Sequence, residues 1–323
     1  MGLLDERVNY RPFEYNRAYE FGKAQADHFW THSQIEVDSD LMQYNTEFTE
    51  SEKHGIHTVL KLFTSYETKV GDYWSDVVYK HFPKHEVRYM AQTFSAIEAQ
   101  HALFYDKLNE KLGLSTEEFY LSFMEEPEMK ERMNFIGKQL ARGKKDTHKD
   151  IAISLATFSF IEGVVLYSSF AFLMSFQNPP KNKLKNVFTG LSYSVRDEAL
   201  HADADSWLYN TFVDEYGLDR KSLEKEIIKI AQECYESECV IIDNIFAKGK
   251  IEGITDTQLK NFVQSRINKK LKDIKIESIY EVNYNPVGKW FYKKINQVEM
   301  TDFFDRNPTA YTNNWNFAKV RGW

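Results

Sequence analysis

The sequence predicts an all-α protein, and three observations predict it. Apolar residues recur at helical spacing through most of the chain. No stretch of any length alternates as a strand does, and no repeat or low-complexity segment interrupts the pattern. The third is Ile151–Phe176, IAISLATFSFIEGVVLYSSFAFLMSF, apolar almost from end to end with one ionisable residue, Glu162, near its middle. At about 20 apolar residues such a run meets the length test for a membrane span. Six Ser and Thr interrupt it, however, and no second span accompanies it. A helix that is apolar all round serves equally as the central helix of a large core, which is the reading taken, with no membrane involved. A bare carboxylate in that setting is costly unless something compensates it.

A chain of 323 residues is long enough for one large single-core domain. Its 24 Phe, 19 Tyr and 6 Trp argue against disorder. The net charge of -7 is spread over mixed signs, so no basic stripe points to nucleic acid and no polybasic run to anionic lipid. Cys234 and Cys239, in ECYESEC, lie five apart in a helical pattern, a poor spacing for a bridge or a CxxC site, and read as reduced packing residues. The opening MGLLDERVNYRPF carries early charges and no apolar core of signal-peptide length, which makes a cytoplasmic protein the expectation.

Residues 1–48 show no long helical period and read as an arm, with one helix near Tyr19–Trp30. On residue type alone, Trp30 is a hydrophobic anchor. Thr49-Glu-Ser-Glu52 is a capping box, and behind it Ile56, Val59, Leu60, Phe63, Val70, Trp74 and Val77 form one stripe, closed by Pro83. Glu67 lies on that stripe, whereas Asp72, two residues from Val70, is rotated away from it. The direction of Lys69 is not decided by spacing. The next helix runs from about Lys84 to Leu112, and its apolar face is interrupted by Glu98 and His101 and resumed by Tyr105. Gly113 stops it, and Ser115-Thr-Glu-Glu118 signals the next cap. Shorter helices follow near 116–142, then the apolar helix, ended by Asn178-Pro-Pro180. Residues 184–214 form another long helix with Glu198 and His201 on its inward face, and 221–247 and 256–274 are two more. Beyond Ile274 the pattern turns aromatic and irregular. The last segment, with Tyr311, Trp315, Phe317 and Trp323 among polar residues, reads as a mobile docking tail.

One E-x-x-H motif means little, since about one chance match is expected in such a chain. Here both matches, Glu98/His101 and Glu198/His201, fall on inward faces of long helices, where residues three apart are neighbours. Glu67 and Glu162 sit alone on the buried stripes of two other long helices. Two helices with a Glu each and two with Glu-x-x-His form the ligand set of ferritin-like dimetal carboxylate bundles. Four carboxylates carry about -4 and two divalent ions return about +4, whereas without metal the acids would repel and take up protons. Oxygen-rich shells with one nitrogen per ion suit manganese or iron better than zinc. The bland alternative is four acids and two core histidines placed on apolar stripes by accident.

At these residues the chain resembles the small (β) subunit of class I ribonucleotide reductase over nearly its full length. The motifs are Glu67, Ile97-Glu-Ala-Gln-His101 followed by Tyr105, Glu162 in its apolar helix, and Arg196-Asp-Glu-Ala-Leu-His201. The resemblance implies a ferritin-like domain over residues 1–300, N-terminal arm included, and a flexible tail over 301–323 that docks on a large (α) subunit. It implies a homodimer whose dimetal site is oxidised and whose stored oxidising equivalent travels to that large subunit, where a thiyl radical starts ribonucleotide reduction. Tyr105 matches the position of the family's radical tyrosine. Asp197 matches a carboxylate that hydrogen-bonds the ligand His101, Trp30 the tryptophan that continues the path, and Tyr311 the tyrosine at the subunit interface.

One departure matters: the first ligand is commonly Asp in the tyrosyl-radical enzymes and is Glu67 here. In the family, Glu at this place goes with a manganese–iron centre that has Phe at the tyrosine position, or with a dimanganese centre. Tyr105 disfavours the former, so two manganese ions are the expectation, with two irons or a mixed pair as runners-up and a flavodoxin-like activator as a further partner. The competing readings are a dimetal oxidase or oxygenase on the same bundle, and a metal store, for which the chain is too long.

Overall fold

The computed structural model describes residues 2–282 and 285–305. Tyr311 lies outside the described residues, as does most of the segment read as a tail. Helix α1 spans Asn16–Asp27 and α2 Asp38–Glu47. The first differs from the expected Tyr19–Trp30: the helix ends before His28, and Trp30 lies beyond it, buried at 2% exposure. Helix α2 was not expected. Only Asp40 and Tyr44 of its ten residues are buried, too few to print a stripe.

Helix α3, Glu50–Tyr73, starts at the predicted box: Thr49 Oγ1 accepts the Glu52 N–H at 3.3 Å, and Glu52 accepts the Thr49 N–H at 3.0 Å. It widens into a π-turn at Trp74–Val78 and closes through the short α4, Tyr79–His81, just before Pro83. Helix α5 spans His85–Lys111, and Gly113, at φ 73°, supplies the left-handed residue that ends it. Helices α6, Glu117–Leu121, and α7, Pro127–Gly143, follow. The α6 cap is Thr116 rather than Ser115.

The apolar run is not one helix. It divides into α8, His148–Gly163, and α9, Tyr167–Ser175, around a left-handed Leu166. It is buried along its whole length, so it is core. Helices α10, Lys185–Glu215, α11, Arg220–Ile245, and α12, Asp256–Asp273, lie close to the predicted ranges.

The described residues 276–282 are irregular, as expected after Ile274, but from Pro286 the expected irregular segment is replaced by a last helix, α13, Pro286–Asp305. Its signal was present in the sequence: the Asn285 side chain accepts the Gly288 N–H at 3.0 Å, and Pro286 stands at the first helical position. The isolated aromatics hid it. Among the described residues no strand forms, and one isolated bridge joins Ile251 and Ile254.

Helix α3 packs on α5 and α8 on α10, and α5 meets α10 across the middle. The other long elements wrap this quartet: α1 lies on α5, α11 on α3 and α8, and α12 on α8 and α9. The arrangement is a ferritin-like helical bundle, with its most buried residues where the four central helices face one another. Cys234 and Cys239 are both unbridged.

Candidate metal centre

The four central helices bring all six predicted ligands into one buried cluster. Glu67 comes from α3, Glu98 and His101 from α5, Glu162 from α8, and Glu198 and His201 from α10, each at 1% exposure or less. Donor atoms of Glu67, Glu98, His101 and Glu198 lie within 4.8 Å of one another, as do those of Glu98, Glu162, Glu198 and His201. Glu98 and Glu198 therefore belong to both groups, which is the geometry of two ions sharing two carboxylates.

Both imidazoles turn the same nitrogen inward. His101 Nδ1 lies 3.0 Å from Glu98 and 3.2 Å from Glu198, and His201 Nδ1 lies 2.7 Å from Glu98 and 2.9 Å from Glu162. Their Nε2 atoms face acceptors outside the cluster, Asp197 at 3.2 Å and Gln25 at 3.1 Å. An Nε2–H donated outward leaves the Nδ1 lone pair free for an ion, as metal-bound histidines require.

Electrostatics points the same way. Burial, then the charges of Glu198 and Glu98, pushes the Glu67 carboxyl well above its ordinary range, and the same causes act on Glu162. Burial also raises Glu198. For Glu98 burial acts upward too, but His101 and His201 outweigh it and hold the carboxyl at about 2. Neither oxygen of Glu67 has a hydrogen-bond partner among the described residues, although both are buried. An acid with two orphaned oxygens beside three like charges fits a divalent cation, and the carboxylate-rich donor set fits manganese or iron.

A stability prediction follows for the metal-free chain. A carboxyl whose folded pKa is raised contributes stability below its ordinary range and loses it as pH rises through the folded value. Metal-free Glu67→Gln is therefore expected to melt several degrees above the parent near pH 8, with the gap closing toward pH 4. Manganese(II) should raise the parent Tm and leave the variant less affected. Scanning calorimetry across that range tests it, and a gap independent of pH would remove the electrostatic account.

Outside the cluster, Asp197 Oδ2 accepts the Trp30 indole N–H at 2.8 Å and faces His101 with the same oxygen. The Trp30 and His101 rings stack at 5.7 Å. Burial raises the Asp197 carboxyl, but Arg196 and the hydrogen bonds from His101 and Trp30 outweigh it and keep it at about 2. Tyr105 is fully buried against Phe63, ring centroids 4.5 Å apart. Burial, then Glu67, raises its hydroxyl well above its usual value. Lys69 points away and ion-pairs with exposed Asp72 at 3.8 Å.

Two residues at the site escaped sequence reasoning. Gln25 is a buried polar residue on the Ala18–Phe21–Gly22–Gln25 face of α1, and that placement was its signal. Trp74 looked like packing, yet its indole donates to Glu162 at 2.7 Å from the start of the π-turn, a form frequent at functional sites.

The family described as "Ribonucleotide reductase, small chain" matches residues 7–286. A protein of Invertebrate iridescent virus 3 named "Probable ribonucleoside-diphosphate reductase small subunit 048L" is 27% identical over 96% of this chain and 85% of its own. The fold is similar to that of the ribonucleotide reductase R2 subunit from Clostridium botulinum, at a TM-score of 0.82 and 17% identity over 91% of this chain and 94% of that one. It is also similar to that of the dimanganese(II)-NrdF of Streptococcus sanguinis, at 0.73 and 19% over 88% and 98%. With that match spanning most of its length, the chain belongs to the ribonucleotide reductase small-chain family, and as a small chain it works with a large-subunit partner.

Proposed function

We propose that this chain generates and stores the oxidising equivalent with which a class I large subunit reduces ribonucleotides. The observation that carries the reading is the buried line Trp30–Asp197–His101, which leads outward from the six-residue cluster. Glu67, Glu98, His101 and Glu198 would hold one ion, and Glu98, Glu162, Glu198 and His201 the other. When bound and oxidised by oxygen or superoxide, the two ions would hold the oxidising equivalent. The protein side chains do the rest: Asp197 and Gln25 orient the two imidazoles, and apolar helices exclude water.

Two manganese ions are the favoured pair, with two irons or a manganese–iron pair as runners-up. Glu67 in place of the commoner Asp supports that choice, and a protein of similar fold is named as dimanganese. In this reading Tyr105 is a neighbour of the centre and not the store. Tyr105→Phe is expected to keep at least about a third of turnover with the large subunit, a loss under 1 kcal/mol in barrier. Near-total loss would move the oxidant onto the tyrosine.

The remaining features belong to the same proposal: a homodimer, a cytoplasmic site of action, a flavodoxin-like activator, a ferritin-like domain over 1–300 and a docking tail over 301–323 that carries Tyr311. A dimetal oxidase or oxygenase would have no use for the Trp30–Asp197 line. The test is deoxynucleotide formation by metal-loaded, oxidised protein mixed with its large subunit. Absence of product after activation with oxygen, and with superoxide plus a flavodoxin-type protein, would overturn the reading.

A further inference from the structure

The helical path fails immediately after Glu162. Val165 N–H reaches back to Phe160 O at 3.1 Å, Tyr167 N–H goes to Val164 O at 3.1 Å, and Leu166 sits at φ 78°. The left-handed region disfavours a residue with a Cβ. The shift strips four backbone groups of their helical partners: the carbonyls of Ile161, Glu162 and Gly163 and the N–H of Leu166. Buried polar groups need replacements, and for three of the four a side chain from a different helix supplies one. Ile161 O accepts the Tyr66 hydroxyl of α3 at 2.6 Å. Gly163 O accepts Arg266 Nε of α12 at 2.8 Å, and that guanidinium lies 3.9 Å from the centre of the Tyr167 ring. Leu166 N–H faces Glu238 of α11 at 3.5 Å, and the Ser168 hydroxyl donates to the other oxygen of the same carboxylate. Arg132 of α7 completes the group, 2.7 Å from Glu238. All five side chains are buried.

A buried ion pair is weak evidence for stability, because well-packed apolar replacements often match it. Its placement on a strained turn next to a predicted ligand calls for another role. We propose that Glu238, held by Arg132, is a positioning residue: it fixes the turn after Glu162 and so sets the Glu162 carboxylate for the ion shared with His201. This inference rests on the dimetal reading above. Glu238 touches neither ion position. It acts through the backbone, by holding Leu166 and Ser168 while Arg266 and Tyr66 hold the carbonyl side.

The probe is manganese(II) alone, titrated into the metal-stripped full chain and followed by the electron paramagnetic resonance of the free ion, with melting curves in parallel. The double variant Glu238→Leu/Arg132→Met leaves no lone charge buried, but it orphans the Leu166 N–H and the Ser168 hydroxyl, so it is expected to fold and to melt somewhat below the parent. It should weaken one of the two sites at least about tenfold, the scale of lost outer-shell support. Ser168→Ala, a small change, should weaken the same site about threefold by the same route. A parent that binds fewer than two ions overturns the dimetal reading. A parent that binds two, with variants that bind two at parental affinity, overturns only the positioning role. Equal weakening of both sites together with a lower Tm also overturns it, since that marks general structural loss. Should the double variant not fold, Ser168→Ala decides on the same criteria.

Discussion

Glu98→Ala is expected to abolish tight binding of both ions, not one. Glu98 is shared by the two donor groups, and its two oxygens lie 3.0 Å from His101 Nδ1 and 2.7 Å from His201 Nδ1. Losing an outer-shell partner of a metal ligand typically costs about 10–100-fold in affinity or activity. A donor common to both ions should cost more, about a thousandfold in turnover with the large subunit. Calorimetric manganese titration alongside deoxynucleotide assay checks both halves. A variant that still bound one ion tightly would show that the two groups are independent sites.

Trp30→Phe should give the opposite pattern: both ions bound as in the parent, turnover below about 1% of it, a barrier increase near 3 kcal/mol. Phenylalanine preserves the ring but lacks the indole N–H that Asp197 accepts at 2.8 Å, and it is far harder to oxidise. Asp197 would keep His101 oriented, so the metal-binding half of the site should not change. Tyr311→Phe should reproduce this result, because in the proposed path Tyr311 receives the equivalent near the subunit interface. Metal content and turnover measured on the same preparation separate the outcomes. If Trp30→Phe lowered both in proportion, Trp30 would be only a packing residue.

The inward direction of Glu67, Glu98, Glu162 and Glu198 was legible because each stands on a helical apolar stripe, and a period of 3.6 residues assigns a face without knowledge of the fold. Helix ends marked by Thr49 and Gly113 were legible because caps are local chemistry. Helix α2 was missed because it buries only two of its ten residues, and α13 because scattered aromatics masked its cap. Gln25 and Trp74 were read as packing or not at all, since their partners His201 and Glu162 are 176 and 88 residues away.

By itself, the sequence determined the class of fold, the six residues facing inward and the pairing of each Glu with its His three residues on. Those are properties of a helix's own period. Only the tertiary structure decided which carboxylates are shared between the two groups, which imidazole nitrogen faces in, and where the apolar run breaks after Glu162. Each of these depends on distances between helices, and those are set by how side chains from remote parts of the chain pack.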